Sequence, residues 1–224
     1  MTSMLERVLE PEVMDTEEEA LAYDTMDHSE VNRLFVERFL ELGGGRHVLD
    51  VGTGPAQIPV ALAQRDHQCS VVAIDAAQHM LRYGLKHLDQ QGLTARVMLF
   101  CCDARKMPFA DSSFDAVISN SIVHHLADPI PSLREIRRVL APGGTVLLRD
   151  LHRPADQKEL DHLVATYAAD TDERQRGLFR DSLHAALTVS EVQAMLKAAG
   201  LDDLKVSKTS DRHWTAERPR STKD

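Results

Sequence analysis

Four aspartates stand at or near the ends of short apolar runs: Asp50, Asp75, Asp103 and Asp150. A fifth run ends in Ser119-Asn120-Ser121. A glycine turn, Gly52-Thr53-Gly54, follows the first. Glycines let the backbone turn tightly and approach a ligand with no side chain in the way. A carboxylate at the end of the second run, about 20 residues after such a turn, can accept both hydroxyls of a ribose. Asp75 fits that interval; its alternative is to cap the helix that starts at Ala76. Asp103 can accept from an adenine amino group, with Ala104 leaving room for the ring, or it can cap a turn. His124 and His125 titrate near neutral pH and, with Asp150, are candidate general bases. The plain alternative for the pair is a helix start with one ring packed and one solvated.

Several chemistries are disfavoured. The dinucleotide fingerprint asks for glycine at its first, third and sixth positions; here these are Gly52, Gly54 and Gln57. A Gly-Lys-Ser/Thr phosphate loop is absent. No His-x-x-x-His or Cys-x-x-Cys pair marks a metal site, so no metal is expected. Cys69, Cys101 and Cys102 are expected to be ordinary buried thiols of a reducing compartment.

The elements that must position these groups alternate. Val48 to Val51 reads as a strand, the glycine turn follows, and Pro55 is expected to open a helix through Ile58, Leu62 and Ala63. Further strands are expected at Ser70 to Asp75, Arg96 to Cys102, Phe114 to Asn120 and Thr145 to Asp150, with Pro142-Gly143-Gly144 as the turn before the last. Helices are expected at Ala77 to Gly92, with Met80, Leu81, Leu85 and Leu88 inside, and at Pro129 to Leu140. Apolar strands alternating with helices mean a parallel sheet covered on both faces, with ligands beyond the C-terminal strand ends.

Upstream, residues 1–45 form a helical arm. Pro11 breaks any early helix, and Glu17 to Tyr23 is a short one. Ser29, as N-cap, opens an amphipathic helix to Leu42, its inner stripe Val31, Leu34, Phe35, Arg38, Phe39 and Leu42, and Gly43-Gly44-Gly45 ends it. The segment Tyr23 to His28 can fold over a ligand or form a surface turn. Residues 46–224 form the main domain. Residues 152–187 read as a helical insertion whose His152, Arg153, Tyr167, Arg180 and His184, with His28 of the arm, are candidates to meet a polar or anionic substrate. Any one of these is equally a solvated face. Thr188 with Glu191 forms a capping box for the next helix. Leu204 to Lys208 and His213 to Glu217 are closing strands.

The chain has 224 residues, 43% hydrophobic but only 4% aromatic, so an aliphatic core is expected. Its net charge of −9 disfavours nucleic acid and anionic membrane surfaces as partners. No N-terminal cationic-then-apolar signal and no apolar run of membrane length is present, and a cytoplasmic location is expected.

Five segments in order resemble the class I S-adenosylmethionine-dependent methyltransferases, in the small-molecule branch similar to the ubiquinone/menaquinone-biosynthesis type. These are Val48 to Gly54, Ala73-Ile74-Asp75, Cys102-Asp103-Ala104 with Met107-Pro108-Phe109, Phe114 to Asn120 with His124-His125-Leu126, and Leu140 to Gly144. The resemblance spans roughly residues 46–150. It implies a Rossmann-like α/β fold, with a seven-stranded, mostly parallel sheet, helices on both faces and the last strand antiparallel. It further implies S-adenosylmethionine as cofactor and a small-molecule methyl acceptor. Gly52 and Gly54 would pass under its methionine part, Asp50 with Thr53 would meet its amino group, and Asn120 its methionine end. Asp75, with Ala76 beside it, would hold the ribose, near Met80; Asp103 and Ala104 would meet adenine; Tyr23 would close over the site. Ala56 replaces a frequent third glycine at a position expected to enter a helix. A non-catalytic S-adenosylmethionine-binding protein and an NAD-dependent oxidoreductase remain as alternatives. The oligomeric state is left open.

Overall fold

Strand side chains alternate between two aliphatic cores. In β1 (His47–Val51), Val48 joins Phe35, Phe39, Leu62 and Leu88 on one face, while Leu49 and Val51 join Leu133, Ile136, Val192 and Leu196 on the other. The same alternation runs through β2 (Ser70–Asp75), β4 (Phe114–Asn120) and β5 (Leu140–Leu151). Each of these strands is therefore apolar on both faces, as a doubly covered sheet requires. A computed structural model describes residues 5–10, 13 and 15–221; Pro11 lies outside them.

With β3 (Val97–Cys101), β6 (Lys205–Lys208) and β7 (His213–Arg218), the sheet has seven strands in the order β3-β2-β1-β4-β5-β7-β6. Strands β1 to β5 pair in parallel, and β7, last in the chain, runs antiparallel between β5 and β6. The order reverses beside β1, which opens a crevice at the carboxyl ends of β1 and β4.

Helices α2 (Ser29–Glu41), α3 (Gln57–Arg65) and α4 (Gln78–Gln91) cover one face; α5 (Ile130–Val139) and α8 (Val189–Ala199) cover the other. A short helix, α1 (Glu17–Asp24), packs Ala20 and Tyr23 on Ala77 and Met80. Between β5 and α8 lie α6 (Gln157–Tyr167) and α7 (Glu173–Ala185), with a smaller core of Leu160, Leu163, Val164 and Leu183. Thr188 and Glu191 make both bonds of a capping box at α8.

Local expectations fail where tertiary contacts intervene. Pro55 does not open α3: Ala56 precedes the helix in a left-handed conformation, φ +58°, and is the N-cap. Alanine in that region costs about 1–2 kcal/mol. Gly84 of α4 makes the turn's packing possible, since a Cβ there would stand 3.0 Å from Ala56 Cβ. His28, not Ser29, precedes α2 and offers no side-chain cap. Leu34 and Leu85, expected inside, are exposed, as is Cys101 at the edge strand β3. The Pro142-Gly143-Gly144 turn lies within β5: Phe114 pairs with Leu140 and Ala116 with Thr145, so residues 141–144 loop out of register.

Candidate functional site

At the strand tips opens a cleft of about 160 Å³, lined by Gly52, Thr53, Gly54, Asp75, Ala76, Met80, Asp103, Ala104 and Asn120 and overhung by Tyr23. Gly52 and Gly54 have φ of +74° and +54°, which only glycine adopts readily. A Cβ at Gly52 would press within 2.6 Å of Ile122, another lining residue, and one at Gly54 would stand 3.9 Å from the Tyr23 ring.

Asp75 ties the loop together. Its Oδ2 accepts the Gly54 N–H at 2.7 Å and its Oδ1 the Ala77 N–H at 2.8 Å. Burial raises its pKa in spite of those bonds. The capping alternative is thus partly realised, though on Ala77 and without excluding the carboxylate from the cleft wall.

Asp50 is not on that wall. It is 1% exposed, and its Oδ2 has no hydrogen-bond partner. Burial, with the charge of Asp75 adding to it, pushes its carboxyl up to about 7. Thr53 Oγ1 is likewise buried without a partner. The Tyr23 hydroxyl is pushed up to about 12, first by burial and then by the charges of Asp75, Asp150 and Asp50. Asp103 accepts from the Arg105 backbone N–H at 2.8 Å and from its Nε at 3.0 Å, so its turn-capping alternative is present while it still borders the cleft.

The three candidate bases differ. Asp150 is wholly buried and accepts the N–H groups of Val123, His124 and Leu151 and the His124 Nδ1. His124 is buried too, its Nδ1 2.5 Å from Asp150 and its Nε2 3.3 Å from Glu10. Burial opposes charge on both, but their mutual attraction prevails: His124 is raised and Asp150 lowered. Neither borders the cleft; His125 does. The packed-and-solvated alternative for the pair therefore describes His124 well, whereas His125 faces the ligand space. Their rings lie 4.1 Å apart.

The insertion side chains do not reach the cleft. Arg153 is buried between the Ala186 carbonyl and Glu191. Tyr167 bonds Asp211 under the stacked Arg212 guanidinium. Arg180 pairs with Asp161 on the surface. His152 bridges to Leu187, and His184 holds the Val8 N–H through its carbonyl. Arg153, Tyr167 and Arg180 are held by these partners, and none of the five lines the cleft. His28 stacks on Tyr23 at 4.9 Å, with a buried Nε2 that has no partner.

Lining residues that sequence reasoning missed include Asn32, Gln57, Cys102, Arg105 and Ile122. Asn32 donates to Gln57 Oε1 at 3.1 Å. Its signal was a polar residue on the buried stripe of α2; Cys102 stood inside the Cys102-Asp103-Ala104 segment, and Arg105 and Ile122 carried none. Glu10, 114 positions from His124 by their numbers, was also missed, because its partner histidines are set by folding alone.

A sheet of this order with a glycine loop and an acid at the second strand tip defines a class I methyltransferase fold. Residues 49–148 match the methyltransferase-domain family. Over this stretch the chain is similar to class I S-adenosylmethionine-dependent methyltransferases, the ubiquinone/menaquinone-biosynthesis type among them. It is 33% identical over 131 residues to a ubiquinone/menaquinone biosynthesis C-methyltransferase of Desulfotalea psychrophila, covering 58% of this chain and 52% of that one. It is 31% identical over 185 residues to a malonyl-[acyl-carrier protein] O-methyltransferase of Geobacter sulfurreducens, covering 83% and 66%. The chain thus spans about half to two thirds of the length of these relatives. The fold is shared with a SAM-dependent methyltransferase of Aquifex aeolicus, at TM-score 0.66, 20% identity and coverage of 92% and 99%. Among the described residues no helix is long and apolar enough to cross a membrane.

Proposed function

We propose that this chain binds S-adenosylmethionine in the cleft and transfers its methyl group to a small molecule in the cytoplasm. One observation carries the reading: a half-buried carboxylate, Asp75, clamps a positive-φ glycine loop at a crevice where the strand order reverses. The residues suit the adenosyl group. Asp75 would accept from ribose hydroxyls, Asp103 and Ala104 would flank the adenine, and Asn120 with the Gly52–Gly54 backbone would meet the methionine end. Thr53 borders the cleft at this loop, with the buried carboxyl of Asp50 behind it. Bound there, the sulfonium supplies an already activated methyl group.

The protein's own work is alignment and exclusion of water, with Tyr23 and residues 1–45 as the cover. Where the acceptor must lose a proton, His125 takes it; His124 and Asp150 hold the loop that presents His125. The net charge of −9 favours a small acceptor over nucleic acid. Thermal shift with S-adenosylhomocysteine against NAD tests the cofactor. A stabilisation by S-adenosylhomocysteine alone is expected, and a response to NAD alone refutes the reading. Consumption of labelled methyl donor in a cell extract separates an enzyme from a binding protein.

A further inference from the structure

Behind the cleft wall, the N-terminal segment brings Glu10 against the two histidines. Glu10 Oε1 lies 3.3 Å from His124 Nε2 and 3.0 Å from His125 Nδ1, and all three atoms fall within 4.8 Å of one another. Ligands held at 2.0–2.1 Å by a tetrahedral ion stand about 3.3 Å apart, so the separations of 3.0 and 3.3 Å, which also suit ion pairs, can accommodate a shared ion. The Glu10 side chain is only 8% exposed. Its Oε1 and the His125 Nδ1 are both buried, and their 3.0 Å approach is an ion pair when Nδ1 carries a proton. With Nδ1 unprotonated, the same two atoms present lone pairs to one point, where a cation can take the proton's place.

The outer contacts are those a metal site needs. Asp150 binds His124 Nδ1 and fixes a proton there, so Nε2 is the ligand atom once an ion displaces its own proton. Ser182 donates to Glu10 Oε2 at 3.2 Å, which leaves Oε1 for the ion. Arg7 anchors the same segment on the carbonyls of His124, Leu126 and Ala185.

We propose that Glu10, His124 and His125 bind one divalent transition-metal ion, of the zinc class, beside the cleft. Two imidazoles and one carboxylate suit such ions better than magnesium or calcium. The ion pins the N-terminal segment to the loop after β4. Ligation through Nδ1 leaves the His125 proton on Nε2, so in the loaded protein this residue donates a hydrogen bond instead of acting as a base. The proposal stands whether or not the chain transfers methyl groups.

The test uses the full chain stripped with chelator and titrated with Zn2+ by calorimetry and with Co2+ by visible absorption. One equivalent of each is expected, with the Co2+ spectrum of a low-coordinate nitrogen–oxygen site. Glu10→Gln, nearly identical in shape, and His125→Gln should each weaken binding more than about tenfold. His67→Ala, at an exposed position, should not. A lack of stoichiometric binding, or equal affinity in Glu10→Gln and His125→Gln, overturns the proposal and leaves His124 as a protonated bridge between Asp150 and Glu10. If the variants do not fold, the wild-type Co2+ spectrum decides alone: an octahedral, water-like spectrum is the refuting result.

Discussion

Replacing Asp75 by asparagine separates loop support from ligand recognition at one position. The carboxylate accepts two backbone N–H groups, from Gly54 at 2.7 Å and from Ala77 at 2.8 Å. An asparagine keeps one acceptor and sets an NH2 donor against the other N–H. A hydrogen bond to a charged group contributes about 1.5–3 kcal/mol, so the unfolding free energy should fall by about that much. The ribose hydroxyls lose the same charged acceptor. With every 1.4 kcal/mol a factor of ten, S-adenosylhomocysteine should bind roughly 10- to 150-fold more weakly. Urea denaturation reads the first quantity and calorimetry the second. If the variant loses stability yet binds S-adenosylhomocysteine within twofold of wild type, Asp75 is only a clamp for the glycine loop. If affinity falls with no change in stability, the two backbone bonds are not worth what their geometry implies.

Other outcomes follow from the same site. His125→Ala should lower turnover more than S-adenosylhomocysteine affinity, measured by steady-state kinetics beside calorimetry; unchanged turnover removes His125 from the chemistry. His124→Ala should instead cost about 3–5 kcal/mol of stability, because it leaves the buried Asp150 carboxylate without its counter-ion; a loss below 1 kcal/mol in denaturation would contradict that. Asp50 has a folded pKa raised to about 7, above its ordinary value of 3.8. Its contribution to stability is therefore complete below about pH 4 and lost as pH rises through 7. Asp50→Asn should flatten that part of the pH–stability curve and raise the melting temperature at pH 8. Gly45→Ala should destabilise by about 1–3 kcal/mol, since its Cβ would sit 2.5 Å from Ala116 Cβ and 2.7 Å from Asp115 Oδ1; an unchanged melting temperature would show that β4 yields there.

What the chain determines by itself is whatever depends on neighbours in sequence. Runs such as Val48-Leu49 and Val146-Leu147-Leu148, apolar at consecutive positions and bounded by glycine turns or aspartates, read as strands buried on both faces and point to the doubly covered sheet. Gly52, Gly54 and Asp75 were legible for a like reason: turn conformation and strand-end position are local properties. The tertiary structure decided everything that depends on which faces meet. It put Ala56 into a left-handed conformation against Gly84, turned Leu34 and Leu85 outward, and moved Asp50 off the cleft wall. It spent Arg153, Tyr167 and Arg180 on contacts within the inserted helices and their flanks. His124 and His125 are adjacent in sequence, yet one is sealed between Asp150 and Glu10 while the other borders the cleft. No periodicity encodes that difference, because it arises from long-range packing of β5 and the N-terminal segment around a single short turn.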